Sequence, residues 1–157
     1  MYETECSVTK VLFLCIGNSI RSQMAEAFAR KYGSDVLEAA SAGFTPASIV
    51  QPLTKKVMEA KNISLETHFP KDLEHVPLSG FDLIVNISGR KLPTHLPIEV
   101  REWTVEDPMG KSEEEFVVAR DLIENLVMRL VLDLRKSKRP PRPAVVRPAT
   151  VRRQRSS

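Results

Sequence analysis

Cysteine and aromatic side chains are scarce in this chain, and each shortage narrows what it can be. Only two cysteines, Cys6 and Cys15, occur in 157 residues. They lack CxxC spacing, which indicates neither a disulfide framework nor a zinc site, and such usage suits a reducing cytoplasm. His68, His75 and His95 stand at no metal-ligand spacing and read as surface residues. No metal and no cofactor is expected. Aromatic residues make up 6% of the chain, and the single tryptophan, Trp103, falls in a predicted strand and reads as core. No apolar run reaches the length of a membrane span. The opening MYETECSVTKVLFLCIGNSI carries one early base, Lys10, behind Glu3 and Glu5. Its apolar run at residues 11–16 is short and no small-residue cleavage site follows, so it reads as a buried strand rather than a secretion signal. A cytoplasmic protein with no membrane span is expected.

Acidic residues are missing from residues 136–157, KSKRPPRPAVVRPATVRRQRSS, which carry eight Lys or Arg. The other 15 basic residues face 20 acidic ones, so residues 1–135 hold a formal charge of −5 beneath the whole-chain value of +3. Proline, a single sign of charge and no apolar periodicity predict a disordered tail at 136–157. Residues 1–135 are then one domain, long enough for a core of its own. The tail suits acidic partners. With no aromatic residue interleaved, an unstructured terminus is its simpler reading.

Within the domain, strand and helix signals alternate. Residues 8–14 (VTKVLFL) read as a buried strand. Residues 22–32 (SQMAEAFARKY) carry Met24, Ala25, Phe28 and Ala29 on one helical face, and Gly33 ends it. A second strand is predicted at 36–40, closed by Ser41-Ala42-Gly43. A helix follows at 52–61, ended by Asn62, with strands at 81–87 and 99–105. Ser112 and Glu115 form a capping box ahead of a long helix to about Arg135, striped by Leu122, Ile123, Leu126, Val127, Leu130 and Leu134. Such alternation predicts an α/β fold of three layers, a parallel sheet with helices on both faces.

The segment CIGNSIRS, Cys15 to Ser22, sits between the first strand and the first helix. A strand end leading into a helix N-terminus is where an α/β sheet binds anions, because free amide N–H groups and the helix dipole converge there. The amides of Ile16, Gly17, Asn18, Ser19, Ile20, Arg21 and Ser22 form the candidate phosphate-binding loop. Gly17 supplies conformational freedom, and Asn18 tolerates a left-handed backbone. The N–H dipoles and the Arg21 guanidinium favour a Cys15 thiolate. Arg21 adds a planar fork for two oxygens of a tetrahedral anion, and the Ser22 hydroxyl is placed to donate to the sulfur.

Cys15 and Arg21 match the Cys-x5-Arg signature of protein tyrosine phosphatases. The wider string VLFLCIGNSIRSQMAEAFAR resembles the N-terminal motif of the low-molecular-weight branch, with Ser41-Ala42-Gly43 similar to its second loop and Asp107-Pro108 to its late general-acid motif. The resemblance covers residues 8–135. It implies a four-stranded parallel sheet and a metal-free, two-step phosphatase. Cys15 would attack phosphorus to form a phosphocysteine, while Arg21 and the loop amides hold the oxygens. Asp107 would act first as acid and then as base, and Asn18, Ser22 and Ser41 would brace the loop. Substrates would be a phosphorylated protein or small aryl phosphate, with phosphate or arsenate as inhibitory ligands.

Departures from the pattern keep other readings open. Arsenate reductases share the fold, and NSIRSQMAEAF is similar to theirs. The thioredoxin-coupled type relays a disulfide through two later cysteines, and this chain has none after Cys15; around the first relay position it reads VNISGR, with Ser88 but no sulfur. A single-cysteine arsenate reductase drawing on an external thiol, or a thiol transferase, remains, as does a non-catalytic oxyanion-binding protein with a basic docking tail. Ile20 stands where many of these phosphatases carry a second loop cysteine. Cys6 is expected at the opposite end of the sheet. Met109 and Gly110 follow Asp107-Pro108 where phosphotyrosine-preferring members place tyrosines. Phe44 is a candidate wall or core filler, and Glu106 is the rival acid to Asp107.

Overall fold

The computed structural model describes residues 8–92 and 97–138, so Cys6, His95 and the tail from residue 139 lie outside the described residues. Four parallel strands form the sheet: β1 (Thr9–Cys15), β2 (Leu37–Gly43), β3 (Leu83–Asn86) and β4 (Glu99–Glu102), in the order β2-β1-β3-β4. Three α-helices accompany them: α1 (Arg21–Gly33), α2 (Pro52–Glu59) and α3 (Glu113–Lys138). Central β1 is covered on both faces, with Val11 through Cys15 buried. The edge strand β4 has no fully buried residue. The other edge strand, β2, by contrast buries Leu37 and Ala39 on one face and Ala42 on the other.

Alternation along β1 divides the core. Val11 and Phe13 face a large cluster with Met24, Ala25 and Phe28 of α1, Val57 and Met58 of α2, and Ile123, Val127 and Leu130 of α3. Leu12 and Leu14 face a smaller cluster with Ala42 and Ile84, packed by Leu73, Val76, Leu78, Phe81, Leu92 and Ile98. The handedness of crossovers explains the split. The chain moves from β1 to β2 in one direction and from β2 past β1 to β3, then β4, in the other. The β1–β2 connection stays on the large-cluster face with α1, whereas the β2–β3 connection first adds α2 to that face and then crosses the other. The second face is covered by 3-10 turns at Leu73–His75 and Leu78–Gly80 and the segments around them, a thinner layer than the three α-helices opposite. Each fully buried Leu or Phe contributes about 1.5–3 kcal/mol.

Several boundaries differ from the sequence pattern. Ser41-Ala42-Gly43 are the last residues of β2 rather than a loop after it, paired with Phe13, Leu14 and Cys15. β3 and β4 are shorter than the apolar runs that announce them, because side-chain pattern outlasts the ladder hydrogen bonds. Helix α2 stops at Glu59, and Asn62 takes a left-handed φ of 63° just beyond it. Helix α3 continues to Lys138, so Lys136–Lys138 are helical and the expected boundary after residue 135 falls three residues early. Trp103 lies just beyond β4, half-buried, its ring centroid 5.8 Å from that of Phe13.

Candidate active site

The C-terminal ends of the strands meet the start of α1 at Cys15, the last residue of β1. That is the switch point of the topology, where one crossover leaves for β2 and the other returns to β3. Residues 16–20 make the turn, and α1 begins at Arg21 with no acidic residue in its first turn.

The carbonyls of this turn are held from outside. Cys15 O accepts from Phe44 N (3.2 Å), Ile16 O from Thr45 N (2.8 Å) and Gly17 O from Ala47 N (2.9 Å). Ser19 O accepts from Gln51 N (3.2 Å) and from the Thr54 hydroxyl (3.0 Å). Asn18 O accepts from Gln23 Nε2 (3.1 Å) and Ile20 O from Met24 N (3.0 Å). With each carbonyl drawn outward, the peptide N–H groups are left for the concave side. Among the described residues none of the N–H groups of residues 16–20 has a protein acceptor. A ring of unspent donors at a helix N-terminus is an anion nest.

Asn18 is the brace beneath the nest. Its φ is 51°, the left-handed backbone that asparagine tolerates. Its Oδ1 accepts from Lys71 N (2.8 Å) and Gln23 Nε2 (3.1 Å), and its Nδ2 donates to Ser22 Oγ (2.7 Å). Ser22 Oγ lies 2.9 Å from Cys15 Sγ. Since Asn18 already donates to that hydroxyl, the Ser22 proton is free to point at the sulfur. Gly43 permits the close fit. A Cβ there would stand 2.7 Å from Ile16 O and 2.8 Å from Asn18 N.

Arg21 is buried, and its Nη1 donates to Ile87 O (2.8 Å) and Val105 O (3.0 Å), tying the loop to the chain beyond β3 and β4. Its Nη2 lies 3.4 Å from Asp107 Oδ2, and Asp107 Oδ1 accepts from Met109 N at 3.1 Å. A cavity of about 260 Å³ opens over the loop, lined by Cys15, Ile16, Gly17, Ser19, Ile20, Arg21, Thr45, Ala47, Asp107 and Met109. Cys15, Arg21 and Asp107 therefore share one cavity, while Asn18 and Ser22 stand behind its wall. Glu106 is turned away, paired with Lys111 at 2.6 Å, and that ammonium holds its carboxyl below the usual range. Among the described residues no aromatic ring lines the cavity. Phe44 packs against the smaller core cluster, with Arg90 over its ring at 5.7 Å. Ser88 bonds Asn86 Oδ1 at 2.6 Å.

Two expectations need correcting. Ser41 does not brace the loop; its hydroxyl donates to Glu26 Oε1 on α1, because its side chain leaves β2 on the helix side. His68 is not a surface residue. It is half-buried, its Nδ1 lies 2.9 Å from Gln23 Oε1, and burial pushes its pKa down against the opposing pull of Glu26. Sequence reasoning also missed Gln23, whose Nε2 donates to Asn18 and to Phe69 O (3.0 Å). Buried Glu26 pairs with Arg30 at 2.6 Å and lies 3.9 Å from Lys71. No group of His, Cys, Asp and Glu able to hold a metal occurs among the described residues. No described helix is long and apolar enough to cross a membrane.

Residues 10–140 match the family described as low molecular weight phosphotyrosine protein phosphatase. The chain belongs to that family. Within it, similar proteins carry other names. A glutaredoxin arsenate reductase of Synechocystis sp. is 31% identical over 131 residues, covering 77% of this chain and 98% of the relative. A solved arsenate reductase from Archaeoglobus fulgidus superposes with a TM-score of 0.71 at 32% identity, over 77% of this chain and 98% of the other. An arginine phosphatase from Geobacillus stearothermophilus superposes at 0.67 with 22% identity, over 83% and 95%, and shares the fold. Family and site together make this a cysteine-dependent enzyme of the low-molecular-weight phosphatase fold.

Proposed function

We propose that this protein is an arsenate reductase in which Cys15 is the nucleophile and an external thiol supplies the reducing electrons. The observation that carries the reading is a tetrahedral-oxyanion nest built around a single sulfur, beneath a mouth walled by Thr45, Ala47, Ile16 and Met109 rather than aromatic rings. That mouth suits a small inorganic anion. The named relatives point the same way. Phosphotyrosine hydrolysis, the first expectation from the sequence, is thereby the weaker reading.

In the proposed cycle the Cys15 thiolate attacks arsenic while Arg21 and the loop amides hold the oxygens. Asp107 protonates one arsenate oxygen, which departs as water and leaves an S–As bond. An external thiolate then attacks Cys15 Sγ. The S–As bond breaks with its electron pair retained on arsenic, so arsenite leaves and a mixed disulfide forms at Cys15. A second external thiol attacks that disulfide and restores the thiolate. Arsenate and two thiols become arsenite, water and one disulfide. A glutathione-type thiol, with or without a glutaredoxin-type protein, fits this role.

One observation supports phosphomonoester hydrolysis as the second reading: Asp107 lies 3.4 Å from Arg21, and a carboxyl there would protonate an alkoxide leaving group as well as water. The deciding assay measures thiol-dependent arsenate reduction and aryl phosphate hydrolysis on one preparation. Arsenite formation that needs added thiol, outpacing phosphate release, is the expected result. Phosphate release without arsenite would return the chain to the phosphatases.

A further inference from the structure

Helix α3 has two faces, and only one is used by its own domain. Phe116, Ala119, Ile123, Val127, Leu130, Val131 and Leu134 are buried in the large core cluster. On the opposite side large apolar residues are left in solvent: Val118 is 62% exposed, Leu122 40% and Leu132 55%. Asn125, Arg129 and Lys136 are exposed as well. The order Val118, Leu122, Asn125, Arg129, Leu132, Lys136 advances by four, three, four, three and four residues. That is the spacing of a coiled-coil seam, and Val127 and Leu134 sit behind it on the buried side.

Charge along the helix selects both the occupant and its direction. The first turn is acidic, with Glu113, Glu114 and Glu115 all exposed, and the second half is basic, with Arg129 and Lys136 on the seam. Laid parallel in register on a second copy, the seam would set Arg129 on Arg129, Lys136 on Lys136 and the acidic turn on its own copy. Laid antiparallel about a two-fold axis at Val127, each Leu122 meets the other copy's Leu132, and Glu115 comes within about one helical turn of the other copy's Lys136. Each Arg129 then meets Asn125, whose carboxamide oxygen can accept from the guanidinium. Neither side chain has a hydrogen bond or salt bridge to another described residue, so both are available. Val118 meets the aliphatic stem of Lys136, whose ammonium reaches solvent. At the flanks half-buried Leu126 and Met128 each approach their own counterparts, while Asp121 and Arg135 keep their own partners, Arg120 and Asp35.

We propose that the outer face of α3 is a self-association surface on which a second copy of this chain packs antiparallel, with reciprocal Leu122–Leu132 contacts on either side of paired Asn125 and Arg129. An isologous contact of this kind closes as a dimer. From Val118 to Lys136 the seam is about 27 Å long at 1.5 Å per residue, so the dimer is concentration-dependent rather than obligate. The active-site cavity is lined by no residue of α3, so both sites stay open.

The test is sedimentation equilibrium of the full chain over a wide concentration range, with two charge-introducing variants. The mass should climb from the monomer's 17.7 kDa towards twice that. Leu122→Glu alone and Leu132→Lys alone should each weaken dimerisation about tenfold or more, since each sets a charge against leucine twice. Both positions are exposed in the single chain, so each variant should keep the parent's circular dichroism spectrum. Mixed in equal amounts, the two should recover a heterodimer, because one new pair is then Glu against Lys and the other is the original Leu against Leu. A parallel seam would give no such rescue, since it never brings position 122 to position 132. A chain that stays monomeric throughout, single variants that dimerise like the parent, or a mixture of folded variants that recovers nothing would each overturn the proposal.

Discussion

Asp107 and Glu106 are adjacent, equally acidic by composition and exposed, yet their neighbours give them different work. Lys111 takes Glu106 out of the site at 2.6 Å, whereas Asp107 turns into the cavity and stands 3.4 Å from Arg21. General-acid catalysis by a placed carboxyl is worth about 10²–10⁴ in rate. Asp107→Ala should therefore slow turnover by at least the lower end of that range, most for substrates whose leaving oxygen needs a full proton. Glu106→Ala should leave steady-state rates nearly unchanged. The reverse pattern in the same kinetic assay would transfer the acid role to Glu106. At this scale the sequence was informative wherever residue type is unusual for its place. Cysteine at a strand end, asparagine in a left-handed turn and an arginine six residues on are such cases. Gln23 and His68 gave no signal, because they are ordinary residues made important by a contact across 45 positions.

The loop is shaped less by its own residues than by the elements beside it. Segment 44–54 takes up four of its carbonyls, Lys71 holds Asn18, and Gly43 at the end of β2 lets the turn come within van der Waals contact. Gly43→Ala would drive a methyl into Ile16 O and Asn18 N, both backbone atoms that cannot step aside without moving the nest. The expected cost is about 1–3 kcal/mol of stability, typical of overpacking, together with weaker protection of Cys15 from alkylation by phosphate. Thermal melting and iodoacetate labelling check the two effects; unchanged values in both would show that the loop tolerates displacement. Element existence was readable from periodicity, since buried β1 and striped α3 carry strong patterns. Element ends were not. β2 runs through the glycine that looked like its stop, and Ser41 on it reaches Glu26 of α1, because which face a strand's hydroxyl meets depends on the crossover and not on local sequence.

Seen whole, the molecule puts one nucleophilic sulfur at the end of β1, with no second thiol among the described residues. From Thr9 to Cys15 the strand rises about 20 Å at 3.3 Å per residue. Cys6 is tethered only three residues before Thr9, so at most about 11 Å of chain is available against that 20 Å, and the remaining gap of about 9 Å exceeds the Cα separation a disulfide allows. For the proposed arsenate reduction, the thiol that opens the S–As bond would then come from another molecule. The most direct measurement is a single turnover of full-length protein with arsenate and limiting glutathione, quenched with acid and read by peptide mass spectrometry. The predicted result is a glutathione mixed disulfide on Cys15, formed only when arsenate is present and in proportion to the arsenite released, with Cys6 unmodified. A Cys6–Cys15 bridge within one chain, or arsenite formed while Cys15 stays a free thiol, would contradict it.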